Sequence, residues 1–258
     1  MSVSTARGAA EPTWFLGFDC ATKTFAFSLS RIDLSWFRPG VREHTVRRVE
    51  ALRELARRAH AELDMSKRTA LIAQLKPLVD ALDTETRGAV FLADGETAEL
   101  VPGVPDDDIS TVERLRAVCQ YVRDRVRGAI AAHVAAAANE PMRVVVEYQN
   151  INPKTRPVAA ALIAIFSEED VFMVGPALKN KVAVCEAGRY CFFTERYSNT
   201  YRANKEHASF NFRKVEQAYG TCIPSTSPPS LRGHIADSFM QVLGYILYGP
   251  EKGADKLF

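Results

Sequence analysis

The hydrophobic positions of this chain fall into distinct rhythms. "TWFLGFDCA" (13–21) is a short aromatic and aliphatic run that takes in Asp19, and "TFAFSLSRID" (24–33) alternates, with Phe25, Phe27 and Leu29 on one side. Alternation marks a half-exposed strand, and the two runs are close enough in sequence to pair as a hairpin. From about 42 to 82 the period becomes helical. Val49, Leu52, Ala56, Ala59 and Leu63 recur at three- and four-residue spacing, with Arg47, Arg48, Arg53, Arg57 and Arg58 over much of the remaining surface. A second helical piece, "MSKRTALIAQLKPLVDAL", carries an interruption at Pro77. "GAVFLADGETAELV" (88–101) predicts a strand, a turn at Asp94-Gly95 and another short strand. Ser110 with Glu113 predicts a capping box opening a helix over about 110–138.

Two later runs, "MRVVVEYQ" (142–149) and "DVFMVGP" (170–176), are apolar without alternation, as strands buried on both faces of a parallel sheet should be. Between them "KTRPVAAALIAIF" starts a helix at Pro157 that is apolar nearly all round, which predicts cover on most sides. Residues 177–219 read as mixed helix and loop, and a final helix runs over about 231–248. This order predicts an α/β domain with a mixed sheet spanning 13–250, a helical insertion at about 38–87, a disordered N-terminal tail at 1–12 and a C-terminal tail at 251–258.

Composition narrows the class. Hydrophobic content of 47% and charged content of 25% are those of an ordinary globular protein. A net charge of only +2 means that a polyanionic partner must be met by a local basic face. The five cysteines are odd in number and scattered without a CxxC pair, which predicts reduced thiols and an intracellular setting. Cys185 and Cys191 are the closest pair, and two half-buried thiols are a plainer reading of them than a bridge. "MSVSTARGAAEPT" lacks the apolar core of a secretory signal; it has some transit-peptide character, but strand-like sequence follows at once. The longest apolar run, "VAAALIAIF", is too short to span a bilayer, so no membrane partner is expected.

The candidate chemistry lies where apolar runs carry acids. Asp19 follows Trp14-Phe15-Leu16, and Glu147 follows Val144-Val145-Val146. An ionised carboxylate in a strand core is costly unless it is paired or bound to a metal. If the two strands are parallel neighbours, both acids lie near the sheet's carboxyl edge. In "RGHIADSFMQVLGY", His234 and Asp237 are three residues apart, hence on one face of the final helix. Three carboxylates and an imidazole around one cavity suit Mg²⁺ or Mn²⁺ better than a thiolate-seeking metal.

"FLGFDCATKTFAFSLS", "VVVEYQN" and "HIADSFMQVLGY", in that order, resemble the three acidic motifs of RuvC-type Holliday junction resolvases, nearest to the poxvirus-like enzymes of large DNA viruses. The resemblance covers about 13–33 and 142–248. It implies a ribonuclease-H-like fold with a five-stranded mixed sheet, the first acid on strand one, the second on strand four and the last pair on the terminal helix. It also implies an intracellular, Mg²⁺-dependent homodimeric endonuclease, with Mn²⁺ as a substitute and two ions per site, that nicks two opposing strands of a four-way DNA junction. Carried over by position, Asp19, Glu147, His234 and Asp237 are the metal-binding and catalytic set. Thr22 and Lys23 match the viral form of the first motif, whereas Ala21 stands where glycine is usual and Thr24 where asparagine is common. His234 replaces an aspartate of most relatives. Lys179 or Lys181 resembles a family lysine near the scissile phosphate, with Lys181 taken as catalytic. Lys23, Lys154, Arg156, Lys179, Lys181, Arg202 and Lys205 are the candidate DNA contacts.

Plainer readings stand beside these. Asp19 suits a turn between hairpin strands, and His234 with Asp237 could serve only the helix N-terminus. Asp94 is a rival strand-end acid, but Gly95 after it favours a hairpin turn. The Arg-striped helix suits a solvated face, its bases being partly offset by Glu43, Glu50, Glu54 and Glu62. The basic 177–219 segment, interleaved with Tyr190, Phe192, Phe193, Tyr197, Tyr201, Phe210 and Phe212, is the better nucleic-acid candidate, since rings stack on exposed bases, though several of these rings must be core. Rival functions are a ribonuclease-H-like nuclease for flaps, forks or RNA–DNA hybrids, a non-catalytic junction-binding protein, and a sugar or acetate kinase of the related actin-like fold. The last needs glycine-rich phosphate loops, and "DCATKT" has no glycine.

Overall fold

The computed structural model describes residues 12–21, 23–37, 51–52, 54–86, 89–134, 137, 140–148, 152–179, 183–184, 192–193, 211–213, 215–216, 221, 223 and 232–248. The opening hairpin forms as expected: β1 (Pro12–Cys20) pairs antiparallel with β2 (Thr24–Asp33) along its whole length. Helices follow, α1 over 54–61 and α2 (Met65–Thr86), before the chain returns to the sheet as β3 (Val90–Glu99). Pro77 lies inside α2 and does not end it. This insertion exposes Leu63, Met65, Ile72 and Leu78.

The strand–turn–strand expected over 88–101 is instead one strand. β3 runs antiparallel to β2, with a register shift between Leu29/Ser30 that leaves Ala93 as an extra residue. The bulge absorbs the irregularity that the Asp94-Gly95 pair signals, since a bulge bends a strand without ending it. Gly95 serves a close approach rather than a turn: a Cβ there would lie 2.6 Å from Ile235 Cγ2.

Ser110 caps α3 (Thr111–Tyr121), with the reciprocal Glu113 bond of a capping box. The helix then widens into a π segment, Val122–Val126, and continues as α4 (Arg127–His133), ending short of the expected 138. β4 (Met142–Glu147) lies parallel to β1 on one side and to β5 (Asp170–Val174) on the other, joined to β5 by α5 (Arg156–Ile165). The sheet order is β3-β2-β1-β4-β5, the ribonuclease-H-like mixed sheet expected from the sequence. β5 is an edge strand of this sheet, and only Phe172 and Val174 are buried. α5 buries Val158, Ala159 and Leu162 and leaves the opposite face open, so its all-round apolarity overstated its cover. β6 (Ala183–Val184) and β7 (Phe192–Phe193) form a separate two-stranded ribbon. The chain closes with α6 (Arg232–Tyr248).

Helices cover both faces of the sheet. Phe18, Phe25, Phe27, Val144 and Val146 pack under α3, α4 and α5. Phe15, Ile32, Leu92, Val145 and Phe172 pack under α6 with Phe239, Met240 and Leu243. Full burial of such side chains contributes roughly 1.5–3 kcal/mol each. α6 is buried from Ile235 to Tyr245, an unusual depth for a helix that also carries His234, Asp237 and Gln241.

Candidate active site

Strand parity decides which acids meet α6. Phe15, Gly17 and Asp19 share one face of β1, and Trp14, Leu16, Phe18 and Cys20 share the other. Val145 and Glu147 occupy the corresponding face of β4. The register pairs Phe18 with Val146, so Asp19 and Glu147 follow side by side at the carboxyl ends of neighbouring parallel strands.

Two glycines set how closely the other elements approach. A Cβ on Gly17 would lie 2.6 Å from Ser238 O and 2.8 Å from Val242 Cγ2, so α6 crosses β1 with backbone nearly against backbone. That crossing holds the His234–Asp237 turn over Asp19. A Cβ on Gly244 would lie 2.9 Å from Leu178 O, so the turn after β5 rests directly on α6. The next residue is Lys179, which thereby reaches the acids.

The polar contacts form one network. His234 Nδ1 lies 3.0 Å from Asp19 Oδ2. Lys179 Nζ donates to Glu147 Oε2 at 3.2 Å and to Asp237 Oδ2 at 3.0 Å. Gln241 Nε2 donates to the same Glu147 Oε2 at 3.0 Å. Asp19, Glu147 and Asp237 are 4%, 1% and 4% exposed, so these are buried carboxylates. Burial pushes the Asp19 carboxyl up, but the His234 hydrogen bond and the Lys179 charge outweigh it and hold the group below the usual carboxylate range. Lys179 shows the mirror case. Burial favours its neutral amine, yet Asp19, Glu147 and Asp237 together hold the ammonium well above the usual lysine range. The neighbouring Cys20 thiol is pushed well up by burial and by the charges of Asp19 and Glu147.

The donor set fits a hard divalent cation by chemistry and by charge. Lys179 places one ammonium among three carboxylates, and carboxylate oxygens with an imidazole nitrogen are donors that Mg²⁺ or Mn²⁺ takes. As the side chains stand, no group of three or more His, Cys, Asp and Glu side chains among the described residues is gathered at metal-ligand spacing. Lys179 Nζ takes the space between Glu147 and Asp237, and His234 is turned onto Asp19.

Of the two candidate lysines, the structure brings Lys179 into the site, while Lys181 lies outside the described residues, as do Thr22, Arg202, Lys205 and most of the aromatic residues of 177–219. Phe212 is core, packed edge-on against Phe239. Lys154 is committed to a structural network: its Nζ lies 3.1 Å from Asp106 Oδ2 and 2.6 Å from Asp107 Oδ1, beside the Asp106 pair with buried Arg114. Lys23 pairs with Glu99 at the surface, and Arg156 is exposed in the first turn of α5. Sequence reasoning missed Gly17 and Gln241. A glycine inside an apolar strand signals close backbone approach. A glutamine four residues beyond Asp237, in an otherwise apolar stretch, continues the polar face of the helix.

The fold and site define an α/β chain of ribonuclease-H-like architecture with a buried acidic cluster at the sheet's carboxyl edge. No family model matches the chain, and no curated protein matches it. Among solved structures it is similar to T. thermophilus RuvC in complex with Holliday junction substrate, at 12% identity and a TM-score of 0.44, over 95% of this chain and 99% of that one.

Proposed function

We propose that this chain is a divalent-metal-dependent endonuclease acting on branched DNA. The observation that carries the reading is the convergence of three buried carboxylates and an imidazole at the ends of β1 and β4 under α6, with the Lys179 ammonium among them. An ionised carboxylate buried in this way is costly unless it is paired or bound to a metal, and a cluster of such acids marks a candidate functional site. Asp19, Glu147, His234 and Asp237 would hold Mg²⁺ or Mn²⁺, two ions per site, with Asp19 shared. When bound, such ions supply charge stabilisation to phosphoryl oxygens and a more acidic water.

The chain's own residues prepare for this. Asp19 stays ionised through its His234 bond and the Lys179 charge. A carboxylate accepts, so His234 Nδ1 donates to Asp19, and in the neutral ring Nε2 is the nitrogen that could ligate. Lys179 eases the repulsion between Glu147 and Asp237, and it stands in the site where an entering phosphate would meet it.

The finer reading is a four-way-junction resolvase of the poxvirus-like type. It works inside cells, in a viral replication compartment if the source is viral, as a homodimer whose two-fold symmetry sets two sites on paired strands. The nuclease domain spans 13–250. Lys23, Arg156, Lys181, Arg202 and Lys205 would meet phosphates, with Lys154 contributing only where DNA displaces its aspartate partners. Incubation with four-way, three-way, flap and linear duplex DNA in Mg²⁺ or EDTA tests the proposal. Metal-dependent paired nicks confined to the four-way junction are expected. Flap or hybrid cutting would favour the broader nuclease, and junction binding without any cleavage would favour a binding protein.

A further inference from the structure

Gln241 is fully buried in α6, with Ser238 and Val242 beside it, and its amide is only half satisfied. Nε2 donates to Glu147 Oε2 at 3.0 Å, and Oε1 has no partner among the described residues. The orientation is dictated, because a carboxylate oxygen can be met only by the NH₂ end of the amide. A buried carbonyl without a partner costs stability, and an apolar residue of the same size would avoid the cost. A residue that costs stability in the middle of a packed helix calls for a compensating role.

We propose that Gln241 is the positioning residue of Glu147, fixing the carboxylate so that it is presented to a divalent cation beside Asp19. This rests on the metal-dependent reading above and assigns to it a residue that touches neither the cation nor the substrate. The geometry is specific. Glu147 Oε2 accepts from both Gln241 and Lys179, one from α6 and one from the turn after β5. If a cation takes over the charge role of Lys179, the Gln241 bond still holds the carboxylate. A neutral donor suits this task, since it orients the acid without reducing the charge available to the metal. Groups that orient ligands in this way typically change metal affinity by roughly 10–100-fold when removed.

The test is Mn²⁺ binding by the full chain, followed by electron paramagnetic resonance of free Mn²⁺, with melting temperatures taken in EDTA. Gln241→Met keeps the volume and removes the donor, and Gln241→Leu serves as a second variant. Expected is Mn²⁺ affinity weakened about 10–100-fold, with a melting temperature in EDTA close to wild type, the lost bond to Glu147 being offset by removal of the unpaired Oε1. A merely structural glutamine would give the opposite pattern, lowered melting in both variants with unchanged affinity, and that overturns the inference. Unchanged affinity with unchanged melting also overturns it and leaves the nuclease reading standing. Failure of the wild-type chain to bind Mn²⁺ overturns the metal reading itself, and this inference with it.

Discussion

Lys179 Nζ and Asp237 Oδ2 stand 3.0 Å apart, joining the turn after β5 to the terminal helix inside a cluster of buried acids. The same ammonium reaches Glu147 Oε2, so one flexible side chain ties together acids from two elements. Lys179 is thus an internal counter-ion of these acids, and its removal should be felt first in stability.

Lys179→Met is expected to destabilise the metal-free protein by about 3–5 kcal/mol, the usual effect of leaving buried charge without its partner. Saturating Mg²⁺ should restore much of that loss, because a ligand bound only by the folded state stabilises it. Urea unfolding in EDTA and in Mg²⁺ measures both. Equal stability of mutant and wild type in EDTA would show that Lys179 is not the counter-ion.

Asp19→Asn, Glu147→Gln and Asp237→Asn should each reduce nicking by more than about 100-fold, since even the groups that merely orient metal ligands change activity by roughly 10–100-fold. Junction binding should persist and weaken steeply with salt, as contacts to phosphates do. Near-normal turnover in any of the three would remove that residue from the centre.

The pH profile of stability follows from two shifts of opposite sign. Asp19 is held below its ordinary range, so its contribution is present above about pH 4 and is lost as pH falls through its folded value. Lys179 is held above its ordinary range, so its contribution is full below about pH 10 and is lost as pH rises through its folded value. Stability in EDTA should therefore be flat between those limits with respect to these two groups. Asp19→Asn should make the acid limb shallower; an unaltered limb would mean that Asp19 contributes nothing to acid unfolding.

Much of this site was legible because its acids interrupt apolar runs. Val144-Val145-Val146 predicts a buried strand, and Glu147 at its end has few structural uses. The same reasoning finds Asp19, and the spacing of His234 and Asp237 gives their shared face. What stayed hidden depends on contacts between distant elements. The resemblance leaves Lys179 and Lys181 as alternatives, and the approach of Leu178 to Gly244 explains why Lys179 turns inward. Gln241 becomes meaningful only once Glu147 is known to lie beneath it. The Asp94-Gly95 pair misled because a bulge and a turn draw on the same residues, and the sheet partner decides between them. The open face of α5 was likewise invisible to periodicity, which reports apolar character and not what covers it.

Cysteine reactivity offers a check on the fold that is independent of activity. Cys20 is buried and its thiol is pushed well up by burial and nearby acids, whereas Cys119 is exposed on α3. The thiolate is the reactive form, so an alkylating agent at mildly alkaline pH should modify Cys119 and spare Cys20 until the protein unfolds. Peptide mapping reads the outcome. Early labelling of Cys20 in the native protein would contradict the placement of β1 between β2 and β4.

His234 allows the sharpest separation of a ligand from a helix-end histidine. Its Nδ1 faces Asp19 Oδ2 at 3.0 Å, so the ring is already held by one acid of the cluster. Removing it in His234→Ala leaves buried Asp19 short of a donor, which costs about 1–3 kcal/mol, and also deletes a metal donor, so most nicking should be lost in Mg²⁺ and in Mn²⁺. His234→Asp behaves differently. It places a fourth carboxylate beside Asp19, Glu147 and Asp237, so in EDTA this variant should be the less stable of the two. In Mg²⁺ the same charge becomes an asset, because carboxylate oxygens suit that ion better than imidazole does. Substantial Mg²⁺-dependent nicking should survive, together with the larger stabilisation by metal. Nicking rates and unfolding curves of both variants, with each metal and with EDTA, therefore cross: Asp is worse than Ala without metal and better with it. If the two variants instead match wild type in rate and differ only slightly in stability, His234 serves the helix end alone, and the metal centre is made of the three carboxylates without it.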